Sequence, residues 1–227
     1  MKVLGVVCSP RKEGNTEIMM NEALIGARSY GAETELWTTA GKELKPCDGC
    51  NTCSKKNGEC HIKDDVQELY TKILAADGII FGSPSYFMSV TAQAKIIIDR
   101  LYSLYNLYVL PNKVAGVISV ATGIGHEAIL TQFVHFFSHC HMLLADHVYG
   151  FASAKGDIRK DSYAMKGSEE MGRQVVSLVK QQFRWPEEYR MPLYRFCKER
   201  YGIETYPLKR FEVGTGTEDR RDDRGKY

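Results

Sequence analysis

Five short strand-like stretches, several of them apolar runs, alternate with stretches of helical periodicity and leave this chain very few folds. The first run, over 2–8, is rich in valine, as in a central parallel strand covered on both faces. Asn15, Thr16 and Glu17 open a helical pattern that repeats Ile18, Met19, Ala23, Leu24 and Ala27 before Gly31 stops it. Further strands are expected over 33–38, 79–82, 113–121 and 145–150. Further helices are expected after the cap Asp64–Asp65, then over 89–105, 126–142 and 162–183.

Strict alternation of strand and helix implies right-handed βαβ units around an open parallel sheet. Five strands of this kind fit an α/β, flavodoxin-like doubly wound sheet in the order 2-1-3-4-5. The pattern changes at Trp185–Pro186, so the expected organisation is a domain over 1–184 and an extension over 185–227. That extension holds a short helix over 193–200 and a tail whose mixed charges, over 218–224, read as a solvated arm. With 30 basic against 28 acidic residues, the chain has no electrostatic footprint for nucleic acid or an anionic membrane. The apolar start is too short for a signal peptide, and no run approaches bilayer length, so the expected location is the cytoplasm.

In a reducing compartment, clustered cysteines read as metal-binding or redox-active before they read as structural disulfides. Four of the seven cysteines, Cys47, Cys50, Cys53 and Cys60, form the pattern C-x2-C-x2-C-x6-C in a loop over 46–61. Two-residue gaps let a tight turn aim successive thiolates at one point, and Gly49 and Gly58 give the backbone freedom to curl. Structural zinc sites usually pair two C-x2-C knuckles across a longer spacer, whereas three cysteines here are packed in one run. The spacing favours an iron–sulfur cluster; zinc and a redox-active dithiol stay open. Cys8 and Cys140 sit in apolar surroundings and read as small buried hydrophobes, and Cys197 has no assigned role.

In an open α/β sheet, ligands bind beyond the carboxyl ends of the strands. Three loops emerge at that edge. After strand one, Ser9, Arg11, Gly14, Asn15 and Thr16 bring hydroxyls, a guanidinium and free amides to a helix N-terminus, which suits a phosphate. After strand three, Pro84, Ser85, Tyr86 and Phe87 place two aromatics where a flat heterocycle would lie, although one of them is expected to pack in the core. After strand four, Thr122, Gly123 and Gly125 allow close approach of a ligand to the backbone. His126 follows, placed to orient a ring or a substrate. His135 and His139 have the i, i+4 spacing of a metal pair but lie among phenylalanines and read as packed or surface residues.

Ser-Pro-Arg-x-x-Gly-Asn-Thr after strand one, Gly-Ser-Pro-x-Tyr-Phe after strand three and Ala94-Lys95-x-x-x-Asp99-Arg100 resemble motifs of the NADPH-dependent FMN reductase superfamily. The resemblance covers 1–180 and implies FMN. Its phosphate would lie on Ser9, Arg11, Asn15 and Thr16, and its isoalloxazine over Pro84 to Phe87, with 122–125 at another edge. It also implies a homodimer or homotetramer. The compact cysteine motif is similar to that of the iron–sulfur flavoproteins, which implies a [4Fe–4S] cluster near FMN and electron exchange with a partner such as ferredoxin. An NAD(P)H-dependent flavin or quinone reductase with merely structural or redox-active cysteines, and a thiol-sensing binding protein, are the alternatives. No side chain is assigned as a catalytic acid or base. Asp99 and Arg100 are expected to make local ion pairs or an interface contact.

Overall fold

The computed structural model of the chain describes residues 1–189 and 193–203. Parallel strands β1 (Lys2–Val7), β2 (Glu33–Thr38), β3 (Gly78–Pro84), β4 (Val114–Ala121) and β5 (Leu143–Phe151) form one sheet in the order β2-β1-β3-β4-β5. That is the doubly wound order expected. Successive side chains of a strand point to opposite faces, and β1 divides accordingly. Leu4 and Val6 enter one apolar layer with Phe81, Ile97, Phe133 and Phe137; Val3 and Val7 enter the other with Met19, Met20, Ile118 and Val175.

The first layer is closed by α3 (Val66–Ala75), α4 (Ala92–Arg100), α5 (Tyr102–Tyr105) and α6 (His126–His139). The helices of the second layer are α1 (Asn15–Ser29) and α7 (Ser162–Lys180), which cross in backbone contact. A Cβ at Gly26 would lie 1.8 Å from the Glu169 carbonyl oxygen, and one at Gly172 would lie 1.9 Å from that of Ala23. Gly172→Ala therefore forces α1 and α7 apart, and the unfolding free energy in urea should fall by about 1–3 kcal/mol or more.

Strands β3 and β5 run past their expected ranges of 79–82 and 145–150, and several helices differ from expectation for local reasons. The helix expected over 89–105 starts only at Ala92, because Thr91 caps it: its hydroxyl accepts the Ala94 N–H at 3.1 Å. It is also interrupted at Leu101, giving α4 and α5. Left-handed residues end α6 before His141 (φ 53°) and α7 before Gln182 (φ 53°), so both are shorter than their apolar patterns. A short helix, α2 (Thr52–Lys55), lies unexpectedly inside the cysteine loop.

The chain divides into two compact units, Met1–Trp185 and Pro186–Tyr227. In the second, a 3-10 turn at Glu187–Tyr189 and the helix α8 (Leu193–Tyr201) are described, with an ion pair of 2.7 Å between Arg200 and Glu188. The charged tail over 218–224 lies outside the described residues. Among the described residues no helix is long and apolar enough to cross a membrane.

Candidate functional site

The carboxyl ends of β1, β2 and β3 are tied to one another by threonine hydroxyls. Thr39, just past β2, donates its hydroxyl to the Ser9 carbonyl at 3.0 Å and its N–H to that of Val7 at 2.9 Å. Thr91 donates its hydroxyl to the Cys8 carbonyl at 2.6 Å, and the Cys8 N–H reaches the Gly82 carbonyl at 2.7 Å. On this frame the first loop turns back over itself: buried Ser9 accepts the Arg11 N–H on its Oγ at 3.2 Å. Gly14 caps α1 with extended backbone and no side chain. A Cβ there would sit 3.4 Å from the Arg11 carbonyl oxygen and 3.8 Å from Ser9 Oγ, so the missing side chain leaves a hollow at the helix N-terminus. Arg11 is exposed above it, and Thr16 is buried with its methyl against Gly82.

Asn15 differs from the sequence reading. Its side chain donates to the Ala154 carbonyl and accepts the Gly156 N–H, each at 2.8 Å, so it clips the loop after β5 onto α1. What it offers a ligand is the backbone N–H of the first helical turn, which has no partner within the helix.

The second loop is a tight turn in which Tyr86 and Ser89 exchange backbone hydrogen bonds of 2.9 and 3.2 Å. Its central residues Phe87 and Met88 are left-handed, at φ 45° and 66°, a conformation that disfavours such side chains. Neither aromatic packs in the core, contrary to the expectation for one of them: Tyr86 is 40% and Phe87 100% exposed. The third loop touches the second at Gly125, which sits at φ 102°; a Cβ there would fall 2.2 Å from Ser85 Oγ. Around Gly123 there is open space, and Thr122 is exposed beside it. His126 approaches Ser119 Oγ through Nδ1 at 2.8 Å, and Nε2 is buried without a partner among the described residues. Tyr149 and Phe151 wall its ring at 5.2 and 5.0 Å between centroids, and burial holds the imidazole below its usual pKa.

The cysteine loop curls through four left-handed residues, Gly49, Asn51, Asn57 and Gly58. The two glycines thus serve as the sequence indicated. All seven cysteines are unpaired; Cys47 and Cys50 are exposed, and Cys53 and Cys60 are half-buried. Burial pushes the Cys53 thiol up, and the neighbouring Cys60 and Cys47 add to the rise. Asn106 donates to Cys53 Sγ at 3.8 Å. Asp48, Cys50 and His61 bring their ligand atoms within 4.8 Å of one another, with Asp48 and His61 in contact at 2.9 Å. Cys8 and Cys140 are buried in the core, where desolvation pushes both thiols up, Cys140 to about 12.

Residues 1–156 match the NADPH-dependent FMN reductase family. An iron–sulfur flavoprotein of Methanocaldococcus jannaschii is 40% identical over 190 residues, 79% of this chain and 98% of the relative. The chain belongs to the iron–sulfur flavoproteins of this reductase family. An iron–sulfur flavoprotein of Archaeoglobus fulgidus is 30% identical over 185 residues, 81% of this chain and 83% of the relative. Among solved structures, a flavone reductase superposes with a TM-score of 0.62 at 21% identity, covering 80% of this chain and 64% of the other. An archaeal flavodoxin superposes with a TM-score of 0.53 at 12% identity, covering 79% and 99%. Both share the fold. Family membership makes this flavoprotein a flavin-dependent oxidoreductase that works with FMN.

Sequence reasoning missed one buried group of this flavoprotein. Asp99 does make a local pair with Lys95, at 2.5 Å, but Arg100 is buried, 2% exposed, and pairs with Asp64 instead. Its guanidinium is fully buried and binds Asp64, Lys45 and Ile62 at the two ends of the cysteine loop. The one signal available was the pairing in sequence of a carboxylate just after the loop with an arginine on the next helix but one.

Proposed function

We propose that the chain passes electrons between FMN, a [4Fe–4S] cluster and a partner, with residues 1–184 as the cofactor-binding domain and 185–227 as an extension. When bound, FMN supplies exchange of one or two electrons and the cluster supplies exchange of one, the chemistry being the cofactors' own. The observation that carries the reading is the hollow formed where Gly14 lacks a side chain, bounded by Ser9 and Arg11 at the N-terminus of α1. A phosphate fits that chemistry, with donors from Ser9, Arg11, Thr16 and the backbone of Asn15. Pro84, Ser85, Tyr86 and Phe87 would flank the ring on one side, and Thr122, Gly123 and Gly125 would line the open edge.

The donor set Cys47, Cys50, Cys53 and Cys60 is soft sulfur throughout, which suits iron–sulfur chemistry. Thr39 ties the segment leading into that loop to Ser9, so loop and phosphate hollow share one edge of the sheet. The family's reductant is a nicotinamide; we extend the partners to a ferredoxin-like carrier, because exposed Lys55 and Lys56 have no ion pair among the described residues and would attract an acidic surface. Exposed Phe87, Met88 and Ile124 around the flavin loops favour a homo-oligomer, and seven unpaired thiols favour the cytoplasm.

Anaerobically purified protein tests the reading: flavin with equal amounts of iron and acid-labile sulfide is expected, and flavin without sulfide would leave a cluster-free reductase. Arg11→Ala should weaken FMN binding by about 1.5–3 kcal/mol, roughly ten- to hundred-fold in Kd, through the loss of charge-assisted bonds. Titration by flavin fluorescence measures it, and an unchanged Kd would move the phosphate elsewhere.

A further inference from the structure

Residues 46–61 form an exposed loop that has to bring its two ends together before four thiolates can face one point. Closing such a loop costs conformational entropy, which must be met by contacts at its base. Those contacts converge on one side chain from outside the loop. Arg100, the last residue of α4, donates through Nη1 to the Lys45 carbonyl at 2.9 Å and to Asp64 Oδ2 at 2.8 Å. Through Nη2 it donates to the Ile62 carbonyl at 3.2 Å and to Asp64 Oδ1 at 3.1 Å. Lys45 lies two residues before Cys47, and Ile62 two residues after Cys60. One planar fork therefore grips both ends of the loop at once.

From this geometry we infer that Arg100 is the positioning residue of the cluster loop, holding its base closed before any cluster is present. The inference rests on the cluster reading above. Asp64 completes the clasp by accepting the Lys45 N–H at 2.7 Å, and Asp65 accepts that of Glu43 at 2.7 Å. Inside the clasp the contact of Asp48 with His61 forms a second tie, one residue in from Cys47 on one side and one residue out from Cys60 on the other. Arg100 and Asp64 have no side-chain exposure, so the pair was desolvated at a cost that an apolar pair would not incur. What an apolar pair cannot do is bind two backbone carbonyls 17 residues apart, counting from Lys45 to Ile62. Lysine cannot replace it either, because a single ammonium lacks the fixed fork that reaches the carboxylate and both carbonyls together. None of these partners belongs to the three flavin loops. The clasp should consequently control iron and leave flavin alone.

The test compares wild-type protein with Arg100→Lys, and with Lys95→Ala as a control on the exposed face of the same helix. Each is purified anaerobically with its FMN, and iron release to a ferrous chelator is followed beside FMN affinity. Arg100→Lys should release iron roughly tenfold faster, as loss of two carbonyl bonds implies, with FMN affinity and the control unchanged. Release at the wild-type rate, or FMN lost in step with iron, would overturn the inference, the second outcome marking Arg100 as a general structural residue. Wild-type protein without labile sulfide would instead sink the cluster reading, and the inference with it. Should Arg100→Lys fail to fold, hydrogen exchange on the wild type decides: amides of Glu43, Lys45 and Asp65 should be protected alike before and after iron is stripped. Protection that appears only with the cluster would show that the metal, rather than Arg100, closes the loop.

Discussion

Alanine at any one of Cys47, Cys50, Cys53 or Cys60 should strip iron and labile sulfide from the purified protein, whereas alanine at Cys8, Cys140 or Cys197 should leave both in place. The two groups differ in surroundings rather than in chemistry. The first four share one loop whose bends at Gly49, Asn51, Asn57 and Gly58 turn it back on itself, and Cys53 senses both Cys47 and Cys60. Cys8 lies under the sheet edge and Cys140 behind α6, each in an apolar layer that keeps its thiol protonated. Iron and sulfide per flavin are the measurement. Equal content across all seven variants would end the assignment to this loop. FMN should stay bound in the four loop variants, since none of these cysteines belongs to the flavin loops.

Asp64→Ala should be the most destabilising single change outside the apolar core, lowering the unfolding free energy by about 3–5 kcal/mol, because it leaves a buried guanidinium without its countercharge. Arg100 already has one buried nitrogen, Nε, without a partner among the described residues. The Lys45 and Val66 N–H groups would lose their acceptor as well. The same pair makes stability depend on pH. Burial by itself would raise the Asp64 carboxyl, but the Arg100 bonds and the backbone N–H groups outweigh it and hold its pKa below the usual carboxylate range. A depressed folded-state pKa means that the contribution is complete above the unfolded value of about 3.9 and is lost as pH falls through the lower folded value. Urea midpoints taken across the acid range should show that loss in the wild type and not in Asp64→Asn. Parallel curves for the two proteins would assign the acid sensitivity to other groups.

The apolar runs of β1, β3 and β4 announced the sheet because these central strands are buried on both faces, whereas the edge strands β2 and β5 are partly exposed and carry Glu33, Glu35, Asp146 and His147. Alternation implied right-handed βαβ units, and the order 2-1-3-4-5 came from the flavodoxin-like architecture that five such strands fit. The loops proposed for the flavin could be located for a related reason: an open α/β sheet exposes its ligand edge at the ends of known strands, and Gly14, Pro84 and Gly125 mark the turns there. The tight turn at Phe87 and Met88 was not legible, because nothing in those residue types asks for a left-handed backbone. Gly125 on the neighbouring loop packs close against this turn, where a Cβ would fall 2.2 Å from Ser85 Oγ and 3.1 Å from Met88 Cα. Nor did the helical pattern over 126–142 reveal that α6 stops at His139, since Cys140 and Met142 stay buried in the same layer after the helix has ended.

By itself, then, the sequence determined the alternation of strands and helices, and it located the sheet edge and the four thiols to which the proposed cofactors are assigned. These are local patterns, set by residue type and spacing over a few positions. Only the tertiary structure decided what Arg100 and Asn15 do. One closes the cysteine loop through Asp64, 36 residues away, and the other clips a loop 139 residues away. A long polar side chain carries no periodic trace of its partner. It goes to whichever unpaired backbone groups the folded chain brings within reach and seals from water, and that is settled only once the layers have packed.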